Sequence, residues 1–179
     1  MTVLREITNA KHREVEQTPL IQYLMSGAVT AEHYTSYLFE LHAIYRTLES
    51  AGSSVIANLP GIERSERIAA DLSELDSHYN RPLLIATQRY IAYLEQLVAN
   101  KQTADLILAH IYVRHVGDLY GGKLMARVVP GAGQMYQFDD RPGIIKGINA
   151  MLTVELGEEA NKAFDYFIAI FNDLYQLMK

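Results

Sequence analysis

The chain contains no cysteine. That excludes disulfides, thiolate metal sites and thiolate nucleophiles, and it agrees with a reducing compartment. There is no excess of positive charge: the net charge is −5 and the pI about 5.7, which argues against a general nucleic-acid binder. No run approaches the roughly 20 apolar residues that span a bilayer. The opening Met-Thr-Val-Leu-Arg-Glu lacks the apolar core of a secretory signal. Strand-like alternation, internal repeats and linkers are also missing. What is present is enough apolar material for a core, 49% of 179 residues, at a length that suits one domain over residues 1–179. The expectation is a soluble, cytoplasmic protein.

Apolar spacing is helical almost throughout. It predicts helices over residues 2–16, from a cap at Thr30 through Leu48, over 62–78, from Pro82 to about Lys101, from a cap at Thr103 through a glycine-bearing stretch, over 144–152 and over 156–178. Thr18-Pro19, Pro60-Gly61 and Pro130-Gly-Ala-Gly133 read as breaks. This is an all-α, single-domain bundle of seven or eight helices.

One stretch stands out: His110-Ile-Tyr-Val-Arg-His-Val-Gly-Asp-Leu-Tyr-Gly-Gly-Lys123. Glycine within a helix costs roughly 0.5–1 kcal/mol relative to alanine, so Gly117, Gly121 and Gly122 together cost about 2–3 kcal/mol. Close helix packing or a kink at Gly121-Gly122 would offset this. So would a flat ligand lying on bared backbone, with Arg114 and Asp118, four residues apart on the same face, holding polar groups beside it.

A second pattern lies in the first helix. Val3, Leu4, Ile7, Ala10 and Val15 gather on one side; Arg5, Asn9, His12 and Glu16 gather on another at neighbour spacing. A carboxylate one turn from an imidazole can accept from one ring nitrogen and leave the other unprotonated for a metal. The same row also fits an ordinary solvated face. Taken together, an axial imidazole on one helix and an approachable backbone on the other suit a planar ligand with a central metal, of which heme is the obvious example.

At these residues the chain resembles the heme oxygenase family. Glu6-Ile-Thr-Asn-Ala-Lys-His-Arg-Glu-Val-Glu16 is similar to the family's proximal helix, and Ala109 to Gly122 is similar to its distal signature, Tyr-Thr-Arg-Tyr-Leu-Gly-Asp-Leu-Ser-Gly-Gly. Glu159-Ala-Asn-Lys-Ala-Phe164 resembles its C-terminal helix. The resemblance implies cleavage of heme b, as substrate and cofactor, by O2 and electrons to biliverdin, CO and ferrous iron. It implies His12 as iron ligand with Glu16 beside it, and Gly117, Gly121 and Gly122 as clearance for the heme. Asp118 would anchor the distal waters that deliver protons, with Arg114 in the same network. Arg5, Tyr112 and either Arg141 or Lys146 would meet the propionates, and Phe164 would flank the ring. Val113 stands where the family has a threonine, while His115 and Tyr120 replace a tyrosine and a serine and are expected to be peripheral. Lys11, Lys123, Arg127 and Lys146 would form a docking patch for an acidic donor such as ferredoxin, on a monomer or weak dimer. A heme carrier without ring cleavage and a non-heme di-iron protein are the competing readings. His33, His42, His78 and His110 are expected in core or surface roles.

Overall fold

The structure, a computed structural model, describes residues 3–179, with residue 3 as backbone only. The predicted start of the first helix at Thr2 and the apolar role of the Val3 side chain lie outside what is described. Among the described residues there is no strand. The helices are α1 (Val3–Glu16), α2 (Pro19–Met25), α3 (Ala31–Ala51), α4 (Ser53–Ile56), α5 (Ser65–Asp76), α6 (Ile85–Ala99), α7 (Ile107–Ile111), α8 (Gly117–Met125), α9 (Arg141–Met151) and α10 (Gly157–Leu177). A π-turn over Tyr112–Val116 joins α7 to α8 without a break in the chain's helical course.

The all-α expectation is met, with more and shorter segments than the periodicity suggests. Pro19 does not simply end α1; it starts α2, because proline at a first helical position loses no intrahelical bond. Thr30 caps α3 as predicted, its hydroxyl accepting from the His33 N–H at 3.2 Å. Thr103 is not a cap. Its hydroxyl donates to the Leu97 carbonyl at 2.8 Å, and a 3₁₀ turn over Ala104–Leu106 precedes α7. Pro82 does not open α6, which begins at Ile85 after the Leu84 N–H has turned to the Glu40 carboxylate. Helix α5 begins at Ser65 rather than at Ile62. The Arg64 side chain takes the carbonyls of Gly61, Ile62, Met135 and Gln137, fixing the preceding turn.

Helix α3 is the central post. It packs on α5 and α6, while α10 packs on α1, α2, α6 and α7. Tyr34, Tyr37, Leu38, Leu41, Ile44, Tyr45 and Leu48 line its buried face. They meet Phe167, Ile170, Phe171 and Leu174 from α10 in one continuous core. Helix α1 lies against α10 and α2, and α8 lies against α2. This arrangement carries the His12 helix and the glycine helix on neighbouring parts of the same frame.

Candidate active site

One side of the candidate site rests on α1. The His12 side chain is 49% exposed, and its Nδ1 lies 3.4 Å from Glu16 Oε1. Phe164 of α10 meets the imidazole edge-on, ring centroids 6.0 Å apart and planes at 76°. The spacing of four thus brings the carboxylate near one ring nitrogen, and Phe164 packs against the ring. Lys11, the neighbouring cation, is held by Asp165 at 2.6 Å and Glu14 at 3.0 Å. It ties α1 to α10 and is therefore not a free member of the expected docking patch. Arg5 reaches α8 instead, its guanidinium 5.9 Å from the centroid of the Tyr120 ring.

The other side is a buried polar trio. Arg114 Nη2 donates to Asp118 Oδ1 at 2.7 Å, and Arg114 Nε donates to the Tyr45 hydroxyl at 2.9 Å. The Tyr45 hydroxyl donates in turn to Asp118 Oδ2. Arg114 also reaches the Tyr37 hydroxyl at 3.5 Å and lies 5.0 Å from the centre of the Phe167 ring. Asp118 is only 5% exposed. Each of its oxygens has one protein partner and keeps a lone pair for a water. Burial of Tyr45 pushes its hydroxyl well above the ordinary tyrosine range, and Asp118 pushes the same way, so it remains a proton donor. Burial alone would lower the Arg114 guanidinium, but the charge of Asp118 and the two tyrosines more than offset this and keep it cationic.

The three glycines divide. A Cβ built on Gly117 or Gly121 would meet nothing within 4 Å, so both offer bare backbone to open space. A Cβ on Gly122 would stand 2.9 Å from Tyr136 Cδ1 and 3.1 Å from Tyr136 Cβ. Gly122 is thus a packing glycine, and only the other two offer bare backbone to open space. Helix α8 runs through Gly121 and Gly122, and the irregular turn comes earlier, at Tyr112–Val116. A wider i→i+5 turn there rotates Gly117 and Asp118 relative to α7.

The remaining expectations separate similarly. Tyr112 is buried in the π-turn. Arg141 donates to the carbonyls of Leu119 and Tyr136 and is committed to holding the loop, which leaves exposed Lys146 as the basic side chain on α9. Tyr45 and Tyr37 were legible only as core tyrosines. Nothing local could pair Tyr45 with a carboxylate so distant in sequence. His110 is a core histidine: Nε2–H donates to Glu159 at 2.9 Å and Nδ1 accepts from the Tyr90 hydroxyl at 2.8 Å. Glu159 also holds Tyr93 and Lys162. An open groove of about 600 Å³ between α3 and α6, lined by Ala43, Arg46, Thr47, Ile91 and Glu95 among others, contains none of the site residues. Among the described residues, no three His, Asp or Glu side chains converge to hold a metal, so the ligand set of a di-iron centre is not assembled there.

The family model described as heme oxygenase matches residues 1–141. The chain belongs to the heme oxygenase family. Among its relatives, heme oxygenase 2 of Synechocystis is 26% identical over 209 aligned positions, covering 98% of this chain and 83% of the relative. Heme oxygenase 1 of Gallus gallus is 26% identical over 208, covering 98% and 70%. Among solved structures, heme oxygenase-2 of Synechocystis in complex with heme and NO superposes with a TM-score of 0.86 at 24% identity, over 98% of this chain and 85% of that one. The heme oxygenase of Leptospira interrogans superposes with a TM-score of 0.82 at 23% identity, over 96% and 97%. These likenesses establish the heme oxygenase fold for this chain. No helix among the described residues is long and apolar enough to cross a membrane.

Proposed function

We propose that this heme oxygenase uses dioxygen and electrons to open the heme ring, releasing biliverdin, CO and ferrous iron, with its α1–α8 face as the binding cleft. The observation that carries the reading is the bare backbone of Gly117 and Gly121 beside the buried Arg114–Asp118–Tyr45 trio. A side chain at either glycine would fill the space that a planar macrocycle needs. The half-exposed imidazole of His12 has the donor chemistry that iron requires, and Glu16 faces the ring nitrogen that would not ligate.

Heme is both the substrate and the source of redox-active iron. The protein's own residues supply the rest. His12 ligates, Glu16 orients it, and Phe164 restrains the ring. Gly117 and Gly121 leave room on the opposite side and place no acid–base side chain there. Asp118, held by Arg114 and Tyr45, anchors water at the spare lone pairs of its carboxylate and so delivers protons to the reaction. Arg5, Lys146 and Tyr112 are the groups for the propionates. Lys123 and Arg127, both exposed on or just after α8, support an acidic electron donor such as a ferredoxin.

The test is a pair of variants. His12→Ala should lose the spectrum of a histidine-ligated heme and regain it with added imidazole. An unchanged spectrum would place the ligand elsewhere. Asp118→Ala should bind heme with ordinary affinity while biliverdin formation falls by about a hundredfold or more. Undiminished turnover would remove Asp118 from the proton path. A heme carrier without ring cleavage would make no biliverdin in either form.

A further inference from the structure

Behind the trio lies a second buried charge pair for which the reaction so far has no task. His115 is fully buried, and its ring meets that of Tyr45 edge-to-face, centroids 4.8 Å apart and planes at 79°. Its Nδ1 lies 3.2 Å from the Ile111 carbonyl oxygen. A carbonyl only accepts, so Nδ1 carries a hydrogen. The other nitrogen, Nε2, has no hydrogen-bond partner and lies 3.8 Å from Glu49 Oε1. In a neutral ring that nitrogen would present a lone pair to a carboxylate oxygen, two acceptors facing each other in a low-dielectric interior.

A proton on one of the two would turn that repulsion into an attraction. Glu49 already accepts from the Arg64 N–H, the Ser65 N–H and the Ser65 hydroxyl. Burial pushes its carboxyl up, but hydrogen bonds from Ser65 and Arg64, with the nearby His115 ring, bring it below the usual range. With Glu49 held as a carboxylate, the pair is complete only when His115 carries the proton. The other charges around the pair are consistent with this. From the start of α5, the buried Arg64 guanidinium spends its donors on four backbone carbonyls and covers the Phe138 ring at 3.8 Å, so it does not neutralise Glu49 by direct contact. From α3 and α5, His42, Arg46 and Glu66 lie in the same field, and burial with Arg46 keeps His42 from competing for the proton. Arg114 is already paired with Asp118 on the far side of Tyr45.

We propose that His115 is a positioning residue of this site: as a buried imidazolium paired with Glu49, it holds the Tyr45 ring so that the Tyr45 hydroxyl stays on Asp118. Only the rate arm of its test rests on the heme-cleaving reading. The position that a comparison of motifs marks as peripheral thereby controls the geometry of the proton-delivering carboxylate. Loss of the His115 proton leaves lone pair against carboxylate, the ring moves away from Glu49, and the Tyr45–Asp118 bond loosens with it. Turnover then falls once that proton is lost.

The experiment has two arms. In the first, ¹⁵N-histidine spectra of the ligand-free protein should show both His115 nitrogens protonated at neutral pH, and Glu49→Gln should convert the ring to a singly protonated form. In the second, biliverdin formation at saturating heme is followed against pH. His115→Phe keeps the ring but carries no proton. It should turn over about five- to tenfold more slowly at neutral pH, the scale of one weakened hydrogen bond, with a pH profile that differs from the native one. A singly protonated His115 at neutral pH in the native protein overturns the proposal. So does a His115→Phe variant with native rate and pH profile. Should His115→Phe fail to fold, the native spectrum and Glu49→Gln decide alone. Absence of biliverdin from the native protein would refute the heme-cleaving reading and leave the spectroscopic arm intact.

Discussion

Gly117 and Gly122 sit in one short helix and serve different ends, which yields a sharp pair of predictions at the residue scale. Gly122→Ala drives a methyl group into the buried Tyr136 ring. It should cost about 1–3 kcal/mol of stability, read as a lower melting temperature. Gly117→Ala meets no protein atom. It should hold or raise the melting temperature, because alanine favours the helix by roughly 0.5–1 kcal/mol, while weakening heme binding in a titration. Equal losses of stability in both variants would make Gly117 a packing residue as well. The sequence made the anomaly visible as three glycines but could not sort them, since the sorting depends on Tyr136 arriving from a later loop. His12 with Glu16 and Arg114 with Asp118 were legible because each pair lies within one helical turn. Tyr45 and His115 were not, because their partners come from other elements and leave no local spacing to read.

At the scale of elements, α7, α6 and α10 are joined by the His110–Glu159–Tyr93–Lys162 network, which fixes the helix that carries Phe164 against the one that leads into the π-turn. Burial lowers the tendency of His110 to protonate, so its neutral ring donates to Glu159. Burial pushes Glu159 up, but hydrogen bonds from His110, Tyr93 and Lys162 outweigh it and bring its pKa down from 4.5 to about 2. A depressed carboxylate contributes stability that is complete above its unfolded value and fades as pH falls. The native protein should therefore lose stability between about pH 4.5 and 2. Glu159→Gln should flatten that part of the curve and cost about 2 kcal/mol at neutral pH, measured by denaturant unfolding. A native-like acid limb in the variant would assign the loss to other carboxylates. The π-turn itself was hidden from sequence reading. One extra residue in a helical turn barely alters apolar spacing, so the stretch read as one continuous helix with a bend at the glycines.

At the scale of the whole molecule, the all-α architecture followed from sustained helical periodicity with proline and glycine at the breaks, and the boundaries that differed were set by tertiary partners. Glu40 claims the Leu84 N–H and delays α6; Arg64 claims the carbonyls of the turn before α5. The frame that results has α3 as its post and α10 as the helix on which α1 lies, with α8 packed on α2; we propose that the half-exposed imidazole of α1 and the bare glycines and buried carboxylate of α8 form one region. The central claim is that this region cleaves heme rather than merely holding it. The most direct measurement is a single one: the protein loaded with hemin is reduced in air, the absorbance spectrum is followed, and the product is separated by chromatography. The account predicts loss of the Soret band with biliverdin as the product. A Soret band that persists through reduction in air, with no biliverdin recovered, would contradict it.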